Sequence, residues 1–342
     1  MTNPPATLSS LPEVVVVGEA LIDVVHTGNG VTEHPGGSPA NVAYGLARLD
    51  VSTGFLTSIG TDSRGVAISS HLSGAGVYIL PGCQSAASTS TATASLADDG
   101  SASYSFDLVW ELPPVALTYL PTFLHAGSIA SFLAPGAAGV KSLLQHCAGI
   151  STVTYDPNIR PELLGSHHEA RTIFEDLVPL TDVVKLSDED AAWLYPRKSP
   201  EEAARHIRGL GTDLVVVTRG SEGSFLLTAE TEISVPSVET VVADTIGAGD
   251  SYMAALILGL LTRGGEGLAP PVLEQIARMA SMAAAITVGR PGADLPSAAE
   301  VWGRPGHLTT DFLRQRCGQP DDHPKIQALF LPHSELETST LP

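Results

Sequence analysis

The chain has 342 residues, 43% of them hydrophobic, and its formal net charge at pH 7 is −19. That length is enough for one large α/β domain or two modest ones. The negative charge argues against binding to nucleic acids or anionic membranes, although backbone amides and a metal ion can still hold an anionic nucleotide. The three cysteines, at 83, 147 and 317, form no C-x-x-C motif and favour a reducing compartment.

The two ends of the chain differ in composition from the rest. The first residues, MTNPPATLSS, lack the basic and apolar regions of a signal peptide. No apolar run approaches the ~20 residues that span a bilayer. We therefore expect a cytoplasmic protein with a leader over 1–12, one domain over 13–302, and a Pro-, His- and Thr-rich tail over 303–342.

The first third of the domain shows strand and helix signals in turn. Val14 to Val17 predict a buried strand, and residues 21–25 continue it with an acid, Asp23, inside an apolar stretch. The segment GGSPANVAYGLARL indicates a helix with Ser38 as its N-cap and Pro39 at its first helical position. A further strand over 51–60 and a helix over 64–75 follow.

Residues 84–110 alternate Ser and Thr with apolar residues on either side of Asp99-Gly100, which predicts a β-hairpin. We expect extra strands at about 24–36 and 84–110 to form a small lid beside the main domain.

The remainder alternates between the two kinds of element. Strands are predicted over 151–155, 182–187 and 213–218, two short strands within 224–242, and helices over 167–177, 188–194, 200–210, 248–261 and 271–287. This alternation predicts an α/β fold with a doubly wound, mostly parallel sheet flanked by helices.

The segment VVADTIGAGDSYMAALILGLL carries the strongest chemical signal. A strand from Val238 to Ala243 is expected to lead through a glycine-rich turn into a helix that begins near Ala248. The free amides at a helix start favour an anion, and Asp250 in the first turn could accept a proton beside it. Taken alone, the motif also fits an acid that only complements a helix dipole.

Three motifs together resemble the ribokinase-like (PfkB) carbohydrate kinases. DTIGAGD resembles the second family signature, HPGGSPANVAYGLARL the first, and GEALID the first strand. The resemblance implies that Asp250 is the general base and that Gly247, Ala248 and Gly249 form an anion hole. It also implies a sugar site made by Asp23, Gly36, Gly37 and Asn41, in a ribokinase-like fold with a small β-sheet lid.

Two glycine-rich segments extend the resemblance toward the nucleotide. VVVTRGSEGS resembles the family's turn beside ATP, which implies that Thr218, Gly220 and Gly223 border it, although a turn needing positive φ explains the glycines as well. ITVGRPGADLP resembles the closing segment near adenine and a monovalent cation such as K⁺. Asp244 and Ile246 are the implied ligands of that cation.

Two further segments resemble the fructokinase branch of the family. DPNIRPELL places Asp156, Asn158 and Arg160 at the carboxyl end of a strand, where doubly wound sheets bind ligands. Arg160 could bind a sugar or a phosphate, or form a surface ion pair. KLSDEDAAWLYP begins with Lys185, an implied nucleotide contact. Ser187 and Asp190 stand where ribokinases have Asn and Glu. The resemblance implies that Asp190 binds Mg²⁺ through water, and its shorter side chain could alter the metal dependence.

The function expected from these motifs is phosphorylation of a primary hydroxyl of a small sugar, preferably fructose, by ATP with Mg²⁺. Alternatives are a ribokinase, nucleoside kinase or sugar-acid kinase of the same fold, or a non-catalytic sugar- or nucleotide-binding regulator. The lid segment lacks the arginine of relatives that use acidic sugars. The chain could also form a homodimer through the strands of the lid. No lysine follows a glycine, which excludes a Walker-type P-loop.

Overall fold

The computed structural model describes residues 11–27, 30–96, 102–113, 119–263 and 268–302. The expected tail, all but two residues of the expected leader, and the turn at Asp99-Gly100 lie outside these ranges. The strands are β1 (Val14–Val17), β2 (Leu21–Thr27), β3 (Gly30–Gly36), β4 (Thr53–Leu56), β5 (Ile59–Gly60), β6 (Tyr78–Ile79), β7 (Gln84–Ala86), β8 (Thr91–Leu96), β9 (Ala102–Asp107), β10 (Phe123–Gly127), β11 (Thr152–Asp156), β12 (Val183–Ser187), β13 (Leu214–Thr218), β14 (Ser224–Leu227) and β15 (Glu232–Val235). The helices are α1 (Ser38–Arg48), α2 (Ser63–Gly74), α3 (Gly136–Cys147), α4 (His167–Leu177), α5 (Asp188–Leu194), α6 (Pro200–Arg208), α7 (Ala248–Thr262), α8 (Pro270–Val288) and α9 (Ala298–Trp302).

A nine-stranded sheet forms the centre, in the order β15-β14-β13-β12-β11-β10-β1-β4-β6. The strands from β13 to β6 run parallel, and β14 and β15 complete one edge antiparallel. The strand order reverses at β1, because β4 lies on one side of it and β10 on the other. Ligands of doubly wound sheets bind at such a point, outside the carboxyl ends of the strands.

Helices cover both faces of this sheet, which explains the unbroken valine run of β1. Val14 and Val16 pack into a core with α1, α2, α7 and α8, whereas Val15 and Val17 pack into a second core with α3, α4, α5 and α6. All four valines are fully buried. A strand buried on both faces is hydrophobic throughout rather than alternating.

The lid is a four-stranded sheet in the order β3-β2-β8-β9. The hairpin prediction is confirmed by the antiparallel pairing of β8 with β9. The first lid segment, predicted over 24–36, is two strands that begin at Leu21, and the second is shorter than predicted because β7 pairs with β5 in a separate small sheet.

The prediction of a strand from Val238 to Ala243 is wrong. This segment has no regular structure, and its β-branched residues Val241 and Val242 are 88% and 65% exposed. Its last amides, of Ala243 and Asp244, donate to the carbonyl of Val288 at the end of α8 instead of to a strand. A segment with strand propensity forms a strand only where a neighbouring strand can pair with it.

Two smaller differences concern elements near the sheet. The strand predicted over 51–60 is divided into β4 and β5, and the pair β10 and α3 was not predicted. Of the helices in the described ranges, none combines the length and apolar character needed to cross a lipid bilayer.

Candidate active site

Asp250 lies in the first turn of α7, and α1 holds its carboxylate on both sides. The Ser38 hydroxyl donates to Oδ1 at 2.6 Å, and the Asn41 amide donates to Oδ2 at 2.9 Å. The side chain is 8% exposed. Because α1 and α7 pack together, the first turn of α1 fixes the orientation of this carboxylate.

The groups around Asp250 shift its pKa in opposite directions. Burial raises its pKa above the ordinary value, and the negative charge of Asp156 raises it further. The hydrogen bonds from Ser38 and Asn41 and the positive charge of Lys185 lower it, but burial prevails. A carboxylate whose pKa is raised is a stronger proton acceptor, as a general base requires.

The turn before α7 leaves the helix start without a side-chain cap. Gly247 adopts a left-handed conformation with φ 78°, and no described side chain caps α7 there. A Cβ at Gly247 would lie 2.9 Å from the Cβ of Ala293. An uncapped helix N-terminus with a glycine-formed entrance is suited to an anion.

Lys185 lies beneath this turn rather than in the open. Its Nζ donates to Asp156 Oδ2 at 2.7 Å, and both side chains are buried. A Cβ at Gly249 would lie 3.0 Å from that nitrogen. Burial is the largest single effect and would lower the pKa of Lys185, but the charge and hydrogen bond of Asp156 together with the charges of Asp190 and Asp250 outweigh it, so the pKa is raised. Lys185 is therefore a buried cation directly against the α7 entrance.

Asp190 is bound into the fold by both of its oxygens. Oδ1 accepts the N–H of Ile159 at 2.8 Å, and Oδ2 accepts the N–H of Ser187 at 3.0 Å, which completes a capping box of α5. These bonds give the carboxylate a structural role. The prediction that Asp190 binds Mg²⁺ through water gains no support from this geometry.

Asp244 joins two loops at the α7 entrance. Its Oδ1 accepts the N–H of Ile246 and its Oδ2 accepts the N–H of Gly292, at 3.0 and 2.9 Å. These two backbone donors lower its pKa. The segments predicted to surround the monovalent cation are therefore adjacent, with Ile246 exposed between them.

On the lid side, Asp23 is a half-buried residue of β2. Burial raises its pKa to about 6, while His34 and Arg160 lower it and Asp250 raises it. Its Oδ2 occupies the space above Gly36, where a Cβ would lie 2.0 Å away. The charges of Arg160 and Asp250 thus both act on the Asp23 carboxyl. Arg160 also donates to the carbonyl of Ile159.

Positive φ angles and close backbone contacts explain why the remaining predicted positions are glycine. Gly37 has φ 100° and packs against the carbonyl of Glu19, where a Cβ would lie 2.8 Å away. Gly220 and Gly223 follow Thr218 at the end of β13 with φ of 50° and 90°, and a Cβ at Gly223 would meet the carbonyl of Val235. These glycines lie along the same carboxyl edge as the site.

Sequence reasoning missed three contacts of this site. Ser38 was predicted to cap α1, but Gly37 is the N-cap and the Ser38 hydroxyl binds Asp250. The role of Asp156 as the partner of Lys185 was not predicted. Glu19, two residues after β1, is also buried; it accepts the N–H of Ala130 at 3.1 Å. An acid at the end of a buried strand is the signal that placed Asp156 near the site, and the same signal could have identified Glu19.

Comparison with known proteins agrees with the geometry. The model of the pfkB family carbohydrate kinases matches residues 11–300. A fructokinase of Rhizobium leguminosarum bv. trifolii is 30% identical over 259 residues, which are 72% of this chain and 79% of the relative.

Solved structures agree as well. An uncharacterized sugar kinase from Pyrococcus horikoshii, in complex with ATP, is 27% identical with a TM-score of 0.71, over 84% of this chain and 96% of the other. A double mutant of the Vibrio cholerae O395 fructokinase with fructose, ADP and potassium ion is 25% identical with a TM-score of 0.70, over 86% and 99%. The chain belongs to the pfkB family of carbohydrate kinases.

Proposed function

We propose that this carbohydrate kinase transfers the γ-phosphoryl group of ATP to a primary hydroxyl of fructose, with Asp250 as the general base. The observation that carries the proposal is the position of Asp250. It lies in the first turn of an uncapped helix, and Ser38 and Asn41 hold both of its oxygens. Fructose is preferred because a relative at 30% identity is a fructokinase.

The acceptor sugar is proposed to bind between the lid and the sheet edge. Asp23 accepts hydrogen bonds from sugar hydroxyls, and Arg160 donates to them. Gly36 and Gly37 form a wall without side chains. Asn41 was predicted to bind the sugar; one of its donors is used by Asp250, and its amide oxygen is left for the substrate.

In the proposed reaction, Asp250 takes the proton of the primary hydroxyl as that oxygen attacks the γ-phosphorus in line. The new O–P bond forms while the bond from the γ-phosphorus to the bridging oxygen breaks, and ADP leaves with that electron pair. The amides of Gly247 and Gly249 would stabilise the charge on the transferred group, joined by that of Ala248 when it leaves its 3.3 Å hydrogen bond to the Thr245 carbonyl. The buried cation Lys185 would add to that potential from beneath the turn.

The nucleotide is proposed to lie along the carboxyl ends of β12 and β13, beside Thr218, Gly220 and Gly223. Mg²⁺ would neutralise the phosphates, whose oxygens supply most of its ligands. The described residues contain no group of three or more His, Cys, Asp or Glu side chains that could hold a metal ion, so we name no direct magnesium ligand. Asp244 and Ile246 remain our proposal for a K⁺ site.

The test is ADP release with fructose, ribose, a nucleoside and a sugar acid as acceptors, for the wild type, Asp250→Asn and Asp176→Asn. Asp176 is an exposed carboxylate on α4 and serves as the matched control. We expect turnover with fructose, a loss of ~10²–10⁴ in kcat for Asp250→Asn with sugar affinity retained, and no change for the control.

Turnover with another acceptor alone would overturn the choice of fructose. Wild-type turnover in Asp250→Asn would overturn the assignment of the base. Sugar binding without any turnover would overturn the proposed reaction.

A further inference from the structure

The strand register of the lid separates its residues into two faces. Val24 on β2 lies opposite Glu33 on β3, and Glu33 forms an ion pair with Arg64 on α2. Ile22 and Val24 are buried in the core that contains α2. This face of the lid therefore packs toward α2 and the large domain's helices.

The opposite face carries Asp23, and His34 lies directly across from it in the β2–β3 register. Side chains of directly opposed residues project from the same face of a sheet. Asp23 Oδ2 lies against Gly36, two residues before Ser38, whose hydroxyl binds Asp250, so this face is turned toward the catalytic carboxylate. His34 itself is exposed, so packing does not account for its side chain.

The same register extends this row across the lid. Ala92 on β8 is level with Asp23, and Phe106 on β9 is level with Ala92. The row therefore presents an imidazole, a carboxylate, a methyl group and an aromatic ring in sequence. Polar groups at one end and a ring at the other suit a sugar, which has hydroxyls to bond and a C–H face to pack.

We propose that His34 is a sugar-binding residue of the lid, which together with Asp23 holds two adjacent hydroxyls of a neutral sugar. The inference rests on the proposed function, because it assigns a further contact within the same acceptor site. An imidazole can donate to one hydroxyl while the carboxylate accepts from the next. The Asp23 charge disfavours a sugar that carries its own carboxylate at this point.

His26 provides a matched control within the same sheet. It is three residues from Asp23 on β2, which places it on the opposite face, and it is exposed like His34. Three variants are compared with the wild type: His34→Ala, His34→Asn and His26→Ala. Thermal melting of all four proteins checks that the lid substitutions leave the fold unchanged.

Steady-state kinetics with fructose and its monodeoxy analogues that keep the phosphorylated hydroxyl give the readout. We expect KM for fructose to rise about tenfold in His34→Ala with kcat within about threefold, as loss of one ground-state hydrogen bond predicts. His34→Asn should recover part of the affinity, and His26→Ala should match the wild type. In His34→Ala, one deoxy analogue should bind as well as fructose, because the partner of the missing hydroxyl is gone.

The outcomes separate this inference from the function on which it rests. Active wild type together with an unchanged KM in His34→Ala would overturn the role of His34 and leave the kinase reaction standing. An equal rise of KM in His26→Ala would also overturn it, since a general effect on the lid would then explain both variants. A wild type without turnover on any sugar would overturn the proposed function and this inference with it.

Discussion

Lys185 donates from Nζ to Oδ2 of Asp156 at 2.7 Å, and the pair is buried immediately below the entrance to α7. Asp190 and Asp250 also act on Lys185, so one ammonium group balances three carboxylates at the carboxyl edge of the sheet. Two buried charges are tolerated when they pair with good geometry, but removal of one leaves the other uncompensated. The charge balance of the candidate site depends on this one lysine.

Breaking this pair should therefore destabilise the protein. We expect Lys185→Met and Asp156→Asn each to lower the free energy of unfolding by about 3–5 kcal/mol, and the double variant to cost less than the sum of the two. Urea unfolding of the three variants measures this.

The exposed pair Lys141–Asp176 is the control, since Lys141→Met should change the unfolding free energy by less than about 1 kcal/mol. Equal effects of Lys185→Met and Lys141→Met would contradict the importance of the buried pair.

Local signals in the sequence identified much of the fold and some of the site. The predicted bounds of α4 and α5 match the structure, and capping boxes at Ser166 and Ser187 start both helices. A capping box lies within four consecutive residues, so the sequence alone can show it. The prediction of a strand over 238–243 was wrong because this segment has no neighbouring strand with which to pair.

The contacts that define the site are not local. Ser38 and Asp250 are 212 positions apart, and Asp156 and Lys185 are 29 apart. Composition and periodicity report neither pair, because the packing of α1 on α7 and the order of the strands decide them. The resemblance to a family located Asp250 and Lys185, but the partners of both became known only from the structure.

The second prediction concerns the Ser38 hydroxyl. Its hydrogen bond to Asp250 favours the ionised carboxylate and lowers the pKa of that group. In Ser38→Ala the pKa should rise, so the acid limb of the pH–kcat profile should move to higher pH. We expect kcat at pH 7 to fall about tenfold, the effect of one hydrogen bond to a charged group.

Ser63→Ala is the matched control, because Ser63 is likewise the first residue of a helix, α2. A pH profile of Ser38→Ala that coincides with those of the wild type and of Ser63→Ala would show that the hydroxyl does not tune the base.

A third prediction follows from Asp23. Burial raises its pKa to about 6 against the favourable charges of His34 and Arg160. If the ionised carboxylate binds the sugar, affinity should fall as pH decreases through 6, by about fivefold between pH 6 and pH 5 as the ionised fraction falls. Calorimetric titration with fructose in the Asp250→Asn background measures this without interference from the base.

In the same background, Asp23→Asn should bind fructose more weakly and lose the pH dependence over this range. A pH dependence that survives in Asp23→Asn would assign the titration to another group.

The last prediction concerns Glu19 and the stability of the fold. Burial raises the pKa of Glu19 to about 7, although hydrogen bonds from Ser128 and Ala130 act against the increase. Because the folded protein holds this proton more strongly than the unfolded chain, the group favours folding most below the ordinary pKa of 4.5. Its contribution should decline as pH rises toward 7 and then level off, by about 3 kcal/mol in total.

Urea unfolding of the wild type and of Glu19→Gln at pH 5 and pH 8 tests this sign and size. Gln keeps the oxygen that accepts the N–H of Ala130 but cannot ionise, so the loss of unfolding free energy between pH 5 and pH 8 should be about 2.5 kcal/mol smaller in this variant. The exposed Glu230→Gln should retain the wild-type dependence. If Glu19→Gln loses as much stability between pH 5 and pH 8 as the wild type, then Glu19 is ionised at no cost in the folded protein, and its burial is compensated by its hydrogen bonds.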